Sequence, residues 1–132
     1  MASFAELQSK ASPDQRIEVR QRIEKIIGTQ KSAMEAASDL TERIQNANRW
    51  QKQYEALAKV FFENGEKALA MNFTQKGRSF EGVTASGKKW MLEANHGWTA
   101  RSRYCGSLWV EGEGTVFTSG RLDKVFDYIL NM

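Results

Sequence analysis

Few side chains in this chain of 132 residues are suited to acid–base, nucleophilic or metal chemistry. His96 is the single histidine and Cys105 the single cysteine, so the chain cannot build a multi-histidine metal site or an internal disulfide. Cys105 falls within a predicted strand, where we expect a small structural residue rather than a nucleophile. Glu111 and Glu113 flank a glycine in a predicted turn, and no phosphate-binding loop of the form GxxxxGKS or GxxxxGKT occurs. The sequence therefore predicts no catalytic residue, no metal, no cofactor and no enzymatic activity.

The residue types that could bind a partner are basic and aromatic, and they concentrate between residues 76 and 103. That segment holds six basic residues against two acidic ones, whereas the whole chain carries a net charge of only +3. Lysine and arginine neutralise phosphates, and aromatic rings stack on exposed bases with about 1–3 kcal/mol per base. The predicted nucleic-acid-binding or partner-binding residues are Lys76, Arg78, Lys88, Lys89, Trp98, Arg101, Arg103 and Trp109.

These residue types also suit a protein partner. Tryptophan, tyrosine and arginine are enriched at binding hot spots, and an acidic protein surface would attract the basic segment as a phosphate backbone does. Trp90 and Tyr104 are expected in the core instead, because each shares a strand face with aliphatic residues. Nucleic-acid binding ranks first. The alternatives are a small phage-type or plasmid-type inhibitor or adaptor that binds a host protein, and a purely structural homo-oligomer.

The first half of the chain has apolar residues at helical spacing. Residues 12–15, Ser-Pro-Asp-Gln, predict a helix start, because the serine and glutamine side chains can each bond the other's amide. Gly28 interrupts the pattern, since glycine inside a helix costs about 1 kcal/mol relative to alanine. A break there is favoured, with helices near 13–27 and 30–63, over one continuous helix. Residues 64–65, Asn-Gly, predict the end of this helical arm.

A stripe of mostly apolar residues runs along the arm with alternating spacings of three and four. Such a stripe packs against other helices and has some coiled-coil character. The sequence therefore predicts that the arm can form a homodimer. The predicted oligomerisation residues are Ile26, Ala33, Ala37, Leu40, Ile44, Ala47, Tyr54 and Phe61.

The second half changes to short aromatic and β-branched runs separated by glycines, which predicts an antiparallel meander. In residues 89–94 the alternation places Trp90 and Leu92 on one face and Lys89 and Met91 on the other. Thr118 or Ser119 would cap a final amphipathic helix over residues 121–132. The predicted strands cover residues 69–73, 79–84, 89–94, 103–110 and 115–118.

The fold class predicted from these patterns is α+β. A long helical arm over residues 1–64, either one long helix or a helical hairpin, precedes a binding module over residues 65–132. The module consists of an antiparallel sheet of four to five strands and a C-terminal amphipathic helix. No apolar run approaches the roughly 20 residues of a membrane span, and the N-terminus lacks the pattern of a signal peptide. The single cysteine fits a reducing compartment, so a cytoplasmic protein without a membrane partner is expected.

Overall fold

The computed structural model describes residues 3–35, 38–77, 79–94 and 104–132. The chain divides into two compact units, residues 1–63 and residues 64–132. The α+β class, the antiparallel sheet and the C-terminal helix predicted from the sequence are confirmed. The helices are α1 (Phe4–Lys10), α2 (Pro13–Ile27), α3 (Gln30–Glu35), α4 (Leu40–Asn64), α5 (Glu66–Ala70) and α6 (Leu122–Leu130). The strands are β1 (Phe73–Lys76), β2 (Ser79–Val83), β3 (Lys89–Ala94), β4 (Cys105–Val110) and β5 (Gly114–Arg121).

Helix α2 begins and ends where the sequence predicts. The Ser12 side chain accepts a hydrogen bond from the Gln15 amide at 3.2 Å, and Gln15 Oε1 accepts one from the Ser12 amide at 3.2 Å. Pro13 occupies the first helical turn, where its missing amide hydrogen has no helical partner to lose. The helix stops before Gly28, whose φ of 80° is incompatible with further helix and is readily adopted only by glycine. The predicted break at Gly28 is confirmed.

The predicted helix over residues 30–63 is wrong, because α3 and α4 are separate helices. Asp39 provides the reason: its Oδ1 accepts a hydrogen bond from the Glu42 amide at 2.8 Å and so caps the first turn of a new helix. The alternative of one continuous helix is also wrong, since α2 ends at Ile27. The arm contains one long helix, α4, whose 25 residues end at Asn64 as predicted.

Trp50 is the central side chain of the first unit. It is fully buried, and its indole Nε1 donates a hydrogen bond to the Gly28 carbonyl at 3.1 Å. Its ring stacks on Tyr54 with 5.2 Å between centroids, and the Arg20 guanidinium lies over both rings. Burial raises the pKa of Tyr54, and the charge of Arg20 opposes that rise. These contacts join α2 to α4 through a cation–π and hydrogen-bonded cluster.

The second unit is an antiparallel meander with the strand order β1-β2-β3-β4-β5. The predicted strand over residues 69–73 is wrong, because residues 66–70 form α5 and β1 begins at Phe73. The sequence of α5, Glu-Lys-Ala-Leu-Ala, consists of residues with high helix propensity, which explains why this segment forms a helix rather than a strand. Strands β2, β3 and β4 lie within one or two residues of their predicted bounds.

The predicted helix start at Thr118 or Ser119 is also wrong, because these residues belong to β5. Strand β5 continues to Arg121, which pairs with Cys105, and only then does α6 begin at Leu122. The hydrogen bonds of the sheet therefore take precedence over the side-chain cap. The apolar stripe of the helix is confirmed, and its buried members are Leu122, Val125, Phe126, Ile129 and Leu130.

An aromatic layer fills the space between the sheet and α6. Trp90 and Phe126 meet edge to face with 6.1 Å between ring centroids, and Phe73 lies 6.4 Å from each of them. The inward faces predicted for β3 and β4 are confirmed, because these side chains are all buried: Trp90, Leu92, Tyr104, Leu108 and Val110. Within the part of the chain that the structure describes, no helix has the length and apolar character needed to cross a bilayer.

Gly82 lies directly across from Trp90 on the neighbouring strand. A Cβ atom at this position would sit 2.6 Å from the indole ring, well inside van der Waals contact. The absence of a side chain at Gly82 therefore lets the indole of Trp90 lie against the backbone of β2.

We expect Gly82→Ala to lower the free energy of unfolding by about 1–3 kcal/mol, because the added methyl group must displace a buried indole. Chemical denaturation of both proteins measures the difference. Val83→Ala is the matched control, since Val83 is exposed and should change stability by less than about 0.5 kcal/mol. Equal stability of Gly82→Ala and the wild type would contradict the described packing of Trp90.

Candidate binding site on the outer sheet face

The side of the sheet opposite α6 carries side chains that contribute little to the core. We call this side the outer face. Strand alternation and the antiparallel register assign its residues, because directly paired residues point to the same side. The outer face includes Thr74, Lys76, Ser79, Glu81, Val83, Lys89, Met91, Glu93, Ser107, Trp109 and Thr115.

Three large apolar side chains lie next to one another on the outer face. Met91 and Trp109 are direct cross-strand partners, and Val83 is a diagonal neighbour of Met91 on β2. Direct partners have Cβ atoms about 4.5–5.5 Å apart, so the side chains touch. The exposed fractions are 53% for Val83, 41% for Met91 and 42% for Trp109. Single exposed apolar residues are ordinary, but a contiguous group on paired strands indicates a contact surface.

The lysines near the outer face differ in whether they are already paired. Lys76 Nζ lies 3.2 Å from a carboxylate oxygen of Glu81, and Lys88 Nζ lies 4.0 Å from Glu113. Among the residues that the structure describes, Lys89 forms no ion pair. Lys89 is exposed and is the diagonal neighbour of Trp109, so its ammonium group stands beside the apolar group.

Glu113 has a second partner at the end of the sheet. The Tyr128 hydroxyl donates a hydrogen bond to its carboxylate at 3.2 Å. Desolvation and this hydrogen bond raise the pKa of Tyr128 above its ordinary value. Glu113 therefore has two partners at this end of the sheet, the ammonium of Lys88 and the hydroxyl of Tyr128.

A groove of about 830 Å³ lies where β1 begins and β2 ends, and it is lined by residues of the outer face together with the inward-facing Phe73, Gly82 and Trp90. Its volume lies within the range of about 300–1,000 Å³ typical of ligand-binding pockets. The apolar side chains of the outer face form part of its lining, and Lys89 and Glu81 are its charged groups. Among the described residues, the groove therefore combines exposed apolar surface with one carboxylate that forms an ion pair and one ammonium that does not.

The structure brings two of the predicted binding residues together, namely Lys89 and Trp109. Lys76 lies at the end of β1, and Lys88 precedes β3 and is directed to Glu113. The predicted residues Arg78, Trp98, Arg101 and Arg103 lie outside the described residues.

Val83 and Met91 were not among the predicted site residues, although a sequence signal existed for Met91. Strand alternation opposes it to Trp90 and therefore places it beside Lys89. Val83 could not be assigned to a contact surface in this way, because its diagonal relation to Met91 depends on the register between β2 and β3.

The predicted oligomerisation residues fall into two groups. Leu40 and Ile44 are exposed at the start of α4, with 72% and 51% of their surface accessible. Ala47 is half-buried, and Ala37 lies outside the described residues. The remaining members are buried in a single copy of the chain, and they are Ile26, Ala33, Tyr54 and Phe61.

Metal-binding geometry is absent from the described part of the chain, where no group of three or more histidine, cysteine, aspartate or glutamate side chains could hold an ion. Cys105 is a half-buried cysteine on β4. Comparison with known proteins adds no relative: no family model, no curated protein and no solved structure matches this chain.

Proposed function

We propose that this chain is a non-enzymatic binding protein whose outer face docks a protein partner, as an inhibitor or adaptor does. The observation that carries the proposal is the contiguous exposed group of Val83, Met91 and Trp109. Protein interfaces have an apolar centre surrounded by polar residues, and tryptophan and methionine are enriched in that centre. The outer face has this arrangement, with Lys89 and Glu81 at the border of the apolar group.

Charge on the described outer face favours a protein over a nucleic acid as the partner. Nucleic-acid affinity depends on lysines and arginines that are free to neutralise phosphates. Lys76 and Lys88 already face Glu81 and Glu113, which leaves Lys89 as the one lysine of this region without an ion pair among the described residues. One ammonium beside three apolar side chains fits a mixed protein surface better than a phosphate backbone.

The strands that carry the apolar group also favour docking. Met91 and Trp109 lie on β3 and β4, which pair with each other and have neighbours on both sides in the sheet. Side chains on paired strands lose less conformational freedom on binding than side chains on loops, so more of the contact energy contributes to affinity.

We expect the immobilised chain to capture a defined partner from a lysate of its source cells in a stoichiometric complex. The double variant Met91→Ser with Trp109→Ala should reduce capture at least tenfold, because hot-spot truncations commonly cost about 2 kcal/mol or more. Quantitative mass spectrometry of the eluates measures the ratio.

Ile17→Ser is the matched control, since Ile17 is a large exposed aliphatic residue on α2. If this variant captures the same partner at the wild-type level, the reduced capture by the double variant is specific to the outer face. Equal capture by the wild type and by the double variant would refute docking on this face.

Nucleic-acid binding is the second candidate, and the juxtaposition of Lys89 with Trp109 supports it. A strand of nucleic acid could stack a base on the indole and place a phosphate at the ammonium. The basic excess between residues 76 and 103 adds to this possibility at the level of the sequence.

If nucleic acid is the partner, binding of fluorescent single-stranded oligonucleotides should weaken steeply with salt, with a log–log slope of about −0.7 for each phosphate neutralised. Trp109→Ala should then reduce affinity by about 1–3 kcal/mol at fixed salt, as expected for the loss of one stacked base. Fluorescence anisotropy measures both quantities. No binding at 20 mM salt, taken as roughly the low-salt limit, would exclude this candidate.

Homodimer formation through the arm is proposed only for the exposed part of the predicted stripe, Leu40 and Ile44. These residues lie four apart on α4, so they share one side of the helix. The buried members of the stripe cannot contact a second copy without unpacking the first unit.

In a dimer of this kind, Leu40→Ser with Ile44→Ser should abolish self-association and leave the helix content unchanged. Light scattering over a hundredfold concentration range, together with circular dichroism, measures both properties. A wild-type chain that stays monomeric throughout would rule out the dimer.

A further inference from the structure

We propose that the groove on the outer face receives a protein segment that carries a large apolar side chain next to a carboxylate. This inference rests on the proposed docking function and specifies the chemistry of the partner. Two features of the groove define the segment. One is its apolar wall, and the other is the ammonium group of Lys89, which forms no ion pair within the described residues.

The apolar wall consists of Val83, Met91 and Trp109, which lie together and lack contacts that would cover them within the described residues. A thioether and an indole adapt to aromatic and branched aliphatic groups alike. A groove of about 830 Å³ is larger than one side chain requires, so the anchoring residue enters together with its neighbours along the segment.

The uncommitted charge is the ammonium group of Lys89. The other charged group in the lining, Glu81, forms an ion pair at 3.2 Å with Lys76, which lies outside the lining, so Lys76, Glu81 and Lys89 together carry one positive charge. Glu111 follows β4 opposite Lys89, and its amide bonds the Lys89 carbonyl at 2.8 Å, but the two side chains form no ion pair. A carboxylate placed beside the apolar anchor would therefore complete the charge balance of the groove.

A carboxylate fits this site better than a phosphate does. Phosphate sites combine several donors, such as arginine forks or successive amides at a helix N-terminus. Among the described residues that line the groove there are one lysine, no arginine and no helix start. A carboxylate, which carries one negative charge, therefore suits a groove in which a single ammonium group is the charged donor.

Selection from a random heptapeptide display library tests the inference, with the full-length wild-type chain as bait. Peptides enriched on the wild type should contain Phe, Trp, Leu or Met with Asp or Glu within two positions. Lys89→Glu should reverse the preference, so that Lys or Arg replaces the acidic residue beside the same apolar anchor. Lys124→Glu makes the same change in net charge on the exposed side of α6 and should leave the wild-type preference intact.

The outcomes separate this inference from the proposed function. If peptide binding is lost on Trp109→Ala but is unaffected by Lys89→Glu, docking on the outer face is supported and the proposed role of a carboxylate in the partner is refuted. Peptides unaffected by both changes, or no enriched sequence at all, would overturn the inference. If the chain instead enriches sequences from a random single-stranded DNA pool, and both variants abolish this enrichment, the partner of the groove is a nucleic acid and the inference is overturned.

Discussion

The contact between Trp90 and Gly82 sets the arrangement of the whole second unit. The indole lies against a backbone that has no side chain, and on its other side it meets Phe126 of α6. Because Trp90 is fixed inward, its neighbours Lys89 and Met91 must point outward. A shift of β3 by one residue would exchange the two faces and bury a lysine, at a cost that the core could not offset. The outer face is therefore a consequence of the packing beneath it.

The two units reach their folds by different means. The first depends on helix boundaries and on one buried cluster, in which Trp50 bonds the Gly28 carbonyl and stacks on Tyr54. The second depends on strand register and on an aromatic layer under α6. Exposed apolar residues remain in both, at the start of α4 and on the outer face.

Signals that act over a few residues predicted the structure well. The pairing of Ser12 with Gln15 and the backbone freedom of Gly28 each depend on near neighbours, and both are seen in the structure. The capping residue Asp39 was a local signal too, but the apolar stripe that continues across it concealed the break between α3 and α4. Where strand pairing decides whether a segment becomes a helix or a strand, signals from near neighbours in the sequence do not predict the element.

Strand β5 illustrates that failure, since it retains residues that would otherwise cap a helix. The residues of the candidate site divide in the same way, into those placed by local signals and those placed by strand register. The outward position of Trp109 follows from alternation along β4, so the sequence predicts it as a candidate. The pairing of Lys76 with Glu81 requires the register between β1 and β2, which the misplaced first strand concealed. The ion pair between Lys76 and Glu81 was therefore invisible in the sequence, although it commits one of the predicted binding lysines to a carboxylate.

The separation of the two faces of β3 has an evolutionary consequence. Trp90 and Leu92 are buried in the core, whereas Lys89 and Met91 are exposed. Mutational drift at the outward positions is therefore nearly free of a stability penalty. If the outer face docks a partner as proposed, a lineage carrying this scaffold can exchange one target for another by changing a few surface side chains, and a directed library at these positions would retain the fold.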